Sequence, residues 1–438
     1  MNTEKAQDQR APFAAGLLLM ALVTWILVGT AARDLQASPV RGGDFKFFYE
    51  AAQRLNAHQP LYAPDPNGAT YVYAPLLAIA LRPFVGPDPI TPTGNGQEEF
   101  WHAQHVWFYA SAGCLVAAVI LFALAMRLTL LHSAAIGVML ITAFHCWPAT
   151  MTFALGQTNM VVVAALAGMF YADSRNRLVW VGLFIVAGAL VKTWFAGMLL
   201  YLLVRRAWKP MAVCCAAAIA ALLVLFAIVG FSQVRPFLDM TFGYASSQMG
   251  SQVLSQSIAG FARLHFGPPL HIHPLIESPQ LTAAVKWTGT MIVLAGLGLL
   301  FAAKTPITLV DHRLRLAIVS VSLLLLLPYC QNEYIVMALP AIWTLMLMPQ
   351  PKWCPFLISA VSCFLLIMWG GPYYPNEALA YQDGMRSLRV SVPFFTLVIL
   401  WISLLTAYLR SRASAGPAAA IADSNTSNAV ADRVVVHA

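Results

Sequence analysis

The segment LVWVGLFIVAGALVKTWFAGMLLYLLV, residues 178–204, decides how this chain is read. It is apolar except for Lys192; Arg175 and Arg177 precede it, and Arg205, Arg206 and Lys209 follow. As one straight helix it would be about 40 Å long and would place these two basic tracts on opposite sides of a bilayer. Basic residues in short loops collect on the cytoplasmic side, so the two tracts belong together. The segment is therefore expected to enter and return as a hairpin of two half-length limbs, with Lys192 between them. Irregular backbone at membrane depth survives only where protein buries it or where it lines a cavity. The hairpin thus points to an internal, hydrated site.

The remaining sequence is of the same kind. Of 438 residues, 59% are hydrophobic and 10% are charged, with a mean hydropathy of +0.70. Ordinary soluble domains carry roughly 25% charged residues. These figures exclude a cytosolic enzyme, a secreted disulfide scaffold and a nucleic-acid reader. Much of the net charge of +8 lies at helix ends, where the membrane accounts for it. Apolar runs fall at about residues 12–32, 105–126, 133–153, 157–172, 210–231, 282–303, 314–329, 334–348, 354–371 and 391–409. The first is expected to be retained rather than cleaved as a signal. With the hairpin they predict an all-α polytopic membrane protein of about 11–12 membrane segments, both termini cytoplasmic. Residues 1–11 form a cytoplasmic start, 12–410 the membrane domain, and 411–438 a disordered tail. Outward loops are expected at 33–103, 232–280 and 371–390, although Arg386 and Arg389 run against the charge bias there.

The first outward loop is patterned. Phe45, Phe48, Tyr49, Ala52 and Leu55 recur at helical spacing, opposite Lys46, Glu50, Gln53 and Arg54. This predicts an amphipathic helix at the membrane surface, with Asp44 at its start behind Gly42 and Gly43. Asp44 is either the helix N-cap or a catalytic base at the water–lipid boundary. Tyr71, Tyr73 and Pro75 then lead into an apolar run that ends before Arg82, too short to cross, and expected to be re-entrant or interfacial beneath the surface helix.

Further polar groups interrupt the apolar runs. Gln157, Thr158 and Asn159 open a span, where they can cap the helix or bond sugar hydroxyls or phosphate. Lys192 needs a partner, because a charge near the bilayer centre costs about 2.5–3.5 kcal/mol. A phosphate or a carboxylate would serve. Ser255, Gln256 and Ser257 suit either sugar contacts or a solvated loop. Gln331, Asn332, Glu333 and Tyr334 form a polar knot at an outer junction, where Glu333 is a second acid on the side of Asp44. His271 and His273 have no third partner nearby, and the seven cysteines show neither zinc spacing nor a disulfide framework.

The order and spacing of Gly43–Ala52, Pro60-Leu61-Tyr62, Tyr73–Leu76, Gly156–Asn159, Leu190–Thr193, Arg205–Trp208 and Gln256–Gly260 resemble the family-87 glycosyltransferases. These are polytopic GT-C enzymes typified by mycobacterial mannosyltransferases of phosphatidylinositol mannoside synthesis. The resemblance implies a GT-C fold and an inverting transfer of a hexose, mannose by default, from a polyprenyl-phosphate sugar to a glycolipid or glycan acceptor. The reaction would run on the outer face of a bacterial cytoplasmic membrane, with the lipid-linked sugar as co-substrate and neither cofactor nor metal. The family's acidic residue after the first span matches Asp44, which raises the catalytic base over the cap. Lys192, Gln157, Asn159, Tyr49, Tyr73, Gln256, Asn332 and Glu333 become candidates for binding substrate. The chain departs from the pattern at Gln331–Tyr334, where many members carry a Trp-Asp-His-His-like stretch, and at Phe48, where many have Tyr. The rival reading is a secondary transporter or flippase of lipid-linked sugars. It explains a lysine at membrane depth but not the Asp44 helix, and no inverted repeat supports it.

Overall fold

The computed structural model describes residues 10–37, 42–63, 71–87, 97–129, 132–247, 255–268, 274–302, 308–348, 355–369 and 384–435. Among the described residues every regular element is helical. The first apolar run lies in α1 (Arg10–Ala37) and the amphipathic stretch in α2 (Phe45–Asn56), followed by the short α3 (Leu76–Leu81). Then come α4 (Gln97–Ala125), α5 (Ser133–His145), α6 (Trp147–Leu155), α7 (Asn159–Ser174), α8 (Leu178–Val191), α9 (Leu199–Val204) and α10 (Trp208–Val229). The second half holds α11 (Val234–Ser247), α12 (Ile258–Phe266), α13 (Pro279–Ala302), α14 (Leu309–Leu326), α15 (Leu339–Met346), α16 (Pro355–Trp369) and α17 (Val392–Val435).

Among the described residues four helices are long and apolar enough to cross a membrane, fewer than the 11–12 segments expected: α4, α10, α13 and the stretch Leu388–Ala413 that includes the start of α17. The pair α5 and α6, bent by 50° at Cys146, has the length and composition of a fifth, as a broken span or a re-entrant loop. Pro148 causes the bend, because proline suits the first turn of a new helix and cannot continue an old one. Shorter apolar helices, among them α7 and α8, fill the space between. The outer faces of α10 and α13 expose Ile219, Leu223, Val224 and Ile228, and Trp287, Met291, Ile292 and Leu294. Two rows of large exposed apolar side chains suit lipid rather than water. The chain is thus an all-α polytopic membrane protein.

The hairpin forms. Lys192 leaves helical geometry, at φ −134° and ψ 106°, and a 3-10 helix over Thr193–Met198 leads into α9. At the far end Arg205 pairs with Asp173, in the last turn of α7. Because α8 begins four residues after Ser174, that ion pair brings both ends of the segment to one end of the bundle. The same end is tied by Arg206 to the Phe301 carbonyl, Arg313 to the Ala125 carbonyl, and Ser411 to Asp311.

Several expectations change. The run at 334–348 is not one span but a 3-10 helix over Asn332–Ala338 followed by α15, with Pro340 in the first turn of the new helix. The loop at 232–280 contains α11 and α12. The apolar face of α2 meets protein: Phe45, Phe48, Tyr49 and Ala52 join Tyr62, Tyr71, Leu77, Leu81, Phe100 and Ala103 in a small second core. The short run of α3 lies in this core, under α2 as expected. The backbone of α17 continues to Val435, through the tail expected to lack regular structure.

Candidate functional site

Asp44 is placed by its backbone. The amides of Gly42 and Asp44 donate to the carbonyls of Ala154 and Leu155, at 2.8 and 3.0 Å, fastening the start of α2 to the end of α6. Helix α6 ends at Gly156 in the left-handed region, φ +69°. A β-carbon there would stand 2.6 Å from that of Phe45, so only glycine lets the two segments approach this closely. The Trp107 indole N–H donates to the Gly156 carbonyl at 2.9 Å and fixes the turn from the other side.

The cap reading of Asp44 does not hold, because its side chain makes no hydrogen bond to the first turn of α2. The carboxylate instead accepts a hydrogen bond from Nε2 of Gln157. The Tyr73 hydroxyl donates to Oε1 of the same amide, at 3.4 Å, and so turns its N–H groups toward Asp44. Burial pushes the Asp44 carboxyl above its usual range; the Gln157 hydrogen bond and the positive charge of Lys192 partly offset this.

Lys192 is 2% exposed, and its Nζ has no hydrogen-bond partner among the described residues. It lies 3.7 Å from the ring centroid of Tyr334, a cation–π contact, and Trp194 stacks on that ring at 5.4 Å. Glu333 and Asp44 both lie within electrostatic range of the ammonium. The break after α8 therefore presents Lys192 to two carboxylates, as the hairpin led one to expect of an internal site.

The polar knot forms the third side. Asn159 donates through Nδ2 to the Glu333 carbonyl, at 3.2 Å, and to the Thr152 hydroxyl, at 3.1 Å. It does not cap α7; Thr158 occupies the cap position, with no side-chain cap bond. Asp44, Tyr73, Gln157, Asn159, Lys192, Asn332 and Glu333 thus converge where α2, α6, α7, α8 and the knot meet. The arrangement supplies a carboxylate able to take a proton, a buried cation able to face an anion, and amides able to bond hydroxyls.

Two candidates lie apart. Tyr49 is fully buried in the second core, and its hydroxyl accepts from the Gly86 amide at 3.0 Å. Gln256 is also fully buried. Its amide donates to the Val390 carbonyl at 3.0 Å and accepts from the Phe394 amide at 3.1 Å, while its backbone N–H donates to the Cys330 carbonyl at 2.7 Å. Ser257 caps α12, and Ser255 accepts from the Cys330 amide at 3.0 Å. Residues 255–257 are thus buried rather than solvated, and they brace the polar knot.

Sequence reading missed Thr152 and Trp194 beside the site, and named Thr158 and Tyr334 only as members of their motifs. Only the alternation of polar and aromatic residues around the known motifs carried a signal for them. Among the described residues no three His, Cys, Asp or Glu side chains are grouped to hold a metal. His271 and His273 lie outside the described residues, as does most of the loop at 371–390.

No curated protein matches the chain. The family model for glycosyltransferase family 87 matches residues 71–328, more than half of the chain. The matched stretch holds Tyr73, Gln157, Asn159 and Lys192, while Asp44 precedes it and Asn332 and Glu333 follow. With an all-α membrane architecture and a match of this length, the chain belongs to glycosyltransferase family 87.

Proposed function

We propose that this membrane glycosyltransferase moves a hexose, mannose by default, from a polyprenyl-phosphate donor to a glycolipid or glycan acceptor at the outer face of a bacterial cytoplasmic membrane. The observation that carries this reading is the Asp44 carboxylate, held by Gln157 and facing a buried Lys192 that has no hydrogen-bond partner among the described residues. Asp44 takes the proton of the acceptor hydroxyl as its oxygen attacks the anomeric carbon. The bond from that carbon to the lipid phosphate breaks, and the phosphate leaves with both bonding electrons. Lys192 faces the charge that develops on it, where a preplaced cation in a water-poor site acts most strongly. A single displacement inverts the anomeric configuration. The burial that raises the pKa of Asp44 also suits it to the task, since a base works best when its pKa approaches the working pH. The fold we expect is GT-C.

The test uses the purified chain in detergent with radiolabelled polyprenyl-phosphate mannose, with and without membrane lipid extract. Transfer of label that depends on the extract and is lost in Asp44→Ala is the expected result. Transfer that persists in Asp44→Ala would remove Asp44 as the base. Uptake of the sugar lipid into vesicles without cleavage would favour the flippase instead.

A further inference from the structure

Five side-chain atoms at the polar knot have no hydrogen-bond partner among the described residues: Nδ2 and Oδ1 of Asn332, Oε1 of Glu333, Oδ1 of Asn159 and Oγ1 of Thr158. Their residues are at most 3% exposed. They belong to one place, because Asn159 is bonded to the Glu333 carbonyl and the other residues are its or Glu333's chain neighbours. An unpaired buried polar atom costs roughly 1–3 kcal/mol, and native proteins leave few of them. Five together mark a surface whose partner comes and goes.

The chemistry of the five narrows that partner. Three are acceptors only (the two asparagine carbonyl oxygens and the carboxylate), one is a donor, and the threonine hydroxyl is both. An ionised phosphate brings only acceptors and negative charge, so it would leave the three oxygens unmatched and be repelled by Glu333. Lys192, with donors only, suits that phosphate. A pyranose ring carries adjacent hydroxyls, each donating and accepting, and satisfies a mixed edge of this kind.

We propose that Asn332 and Glu333, with Thr158 and Asn159 facing them, form a hydroxyl-reading edge that selects the donor's sugar ring, while Lys192 takes its phosphate. This deepens the transferase reading and rests on it. The five atoms are closed off from solvent, so the ring reaches them by parting the 328–334 junction from the 156–159 turn. The edge, rather than Asp44, then decides which sugar is moved.

The experiment measures binding of two probes to the full-length purified chain: polyprenyl-phosphate mannose and the same polyprenyl phosphate without sugar. Asn332→Ala and Glu333→Gln are expected to weaken the sugar lipid about tenfold to a hundredfold, the scale of one lost hydrogen bond to a buried or charged group. Asn332→Ala should hold the bare lipid phosphate within about twofold of wild type, and Glu333→Gln, which removes a repelling charge, should hold it at least as tightly, whereas Lys192→Met weakens both probes. Thr158→Val, a nearly isosteric change on the opposite element, serves if the asparagine variant fails to fold. Equal weakening of both probes in Asn332→Ala and Glu333→Gln, or weakening of neither, overturns the edge while leaving the transferase reading intact. A wild-type chain that binds both probes alike and never cleaves the sugar overturns the transferase reading and the edge together.

Discussion

Two clusters of buried charge interrupt the apolar body of this protein, and they are built on opposite rules. At one end Asp173, 5% exposed, pairs with Arg205, whose guanidinium also donates to the Tyr201 hydroxyl at 3.1 Å. Beside it Thr308 and Asp311 close a reciprocal capping box at the start of α14. At the other end Lys192, Glu333 and Asn332 keep atoms that nothing among the described residues bonds. Buried charge that is paired and hydrogen-bonded holds structure together. Buried charge left open is an energetic debt, which a ligand can discharge. The paired end keeps open atoms too, on His312, Arg313 and Arg315, but there both carboxylates, Asp173 and Asp311, are engaged, whereas at the other end the cation and an oxygen of the acid are open.

The comparison can be broken most directly at Asp44. Asp44→Asn should lower the transfer rate about 10²–10⁴-fold, the usual worth of a general base, while the chain stays folded. Its thermal midpoint should also rise at neutral pH. The folded state raises the pKa of this carboxyl, so it holds the proton more tightly than the unfolded chain does. That contribution to stability is present at acid pH and is lost as pH rises through the folded pKa. The gain from asparagine should therefore shrink as pH falls; an equal gain at every pH would contradict a raised pKa for Asp44.

At the paired end, Arg205→Leu should cost about 3–5 kcal/mol of stability, because it strands Asp173. Adding Asp173→Asn should recover part of that loss, and a double-mutant cycle on the thermal midpoint reads the coupling. At the open end, Lys192→Met should do the reverse: a rate loss of about 10²–10³ with little change in midpoint. If Lys192→Met unfolds the chain as Arg205→Leu does, the two ends obey one rule and the distinction fails.

Smaller effects sharpen the picture. Gln157→Leu removes a hydrogen bond that favours the charged form of Asp44, so the acid limb of the pH–rate profile should move to higher pH, by about one unit. A limb that stays put, or moves down, would separate Asp44 from that limb. Tyr334→Leu should cost no more than about 2 kcal/mol in transition-state stabilisation through the lost cation–π contact, while Tyr334→Phe keeps the ring and most of the rate. A comparison of kcat/KM for the two variants decides it.

Much of the fold was legible because its signals are local. The apolar runs gave helices, the spacing of Phe45, Phe48, Tyr49 and Ala52 gave α2 and its apolar face though not the protein that covers it, and the basic tracts around residues 178–204 gave the hairpin. What escaped followed from proline and from packing. Pro148 bends one run and Pro340 opens a short helix in another, yet neither changes the hydropathy that marks a run. Gln256 and Tyr49 stand out in the sequence because a polar tip among apolar residues looks the same whether its partner is a ligand or a backbone amide. In both cases backbone amides are partners.

The sequence by itself determined a helical membrane protein, its basic end, its amphipathic α2 and the short list of polar residues worth questioning. These follow from periodicity and charge, which act over a few residues and survive without knowledge of neighbours. Only the tertiary structure decided which of those residues meet. Asp44 and Gln157 are 113 positions apart, and Asn159 and the Glu333 carbonyl are 174 apart. Their meeting depends on how closely α2 can approach the Gly156 turn and where α8 breaks at Lys192. Contacts over such separations are set by the packing of whole helices, and no local pattern encodes them.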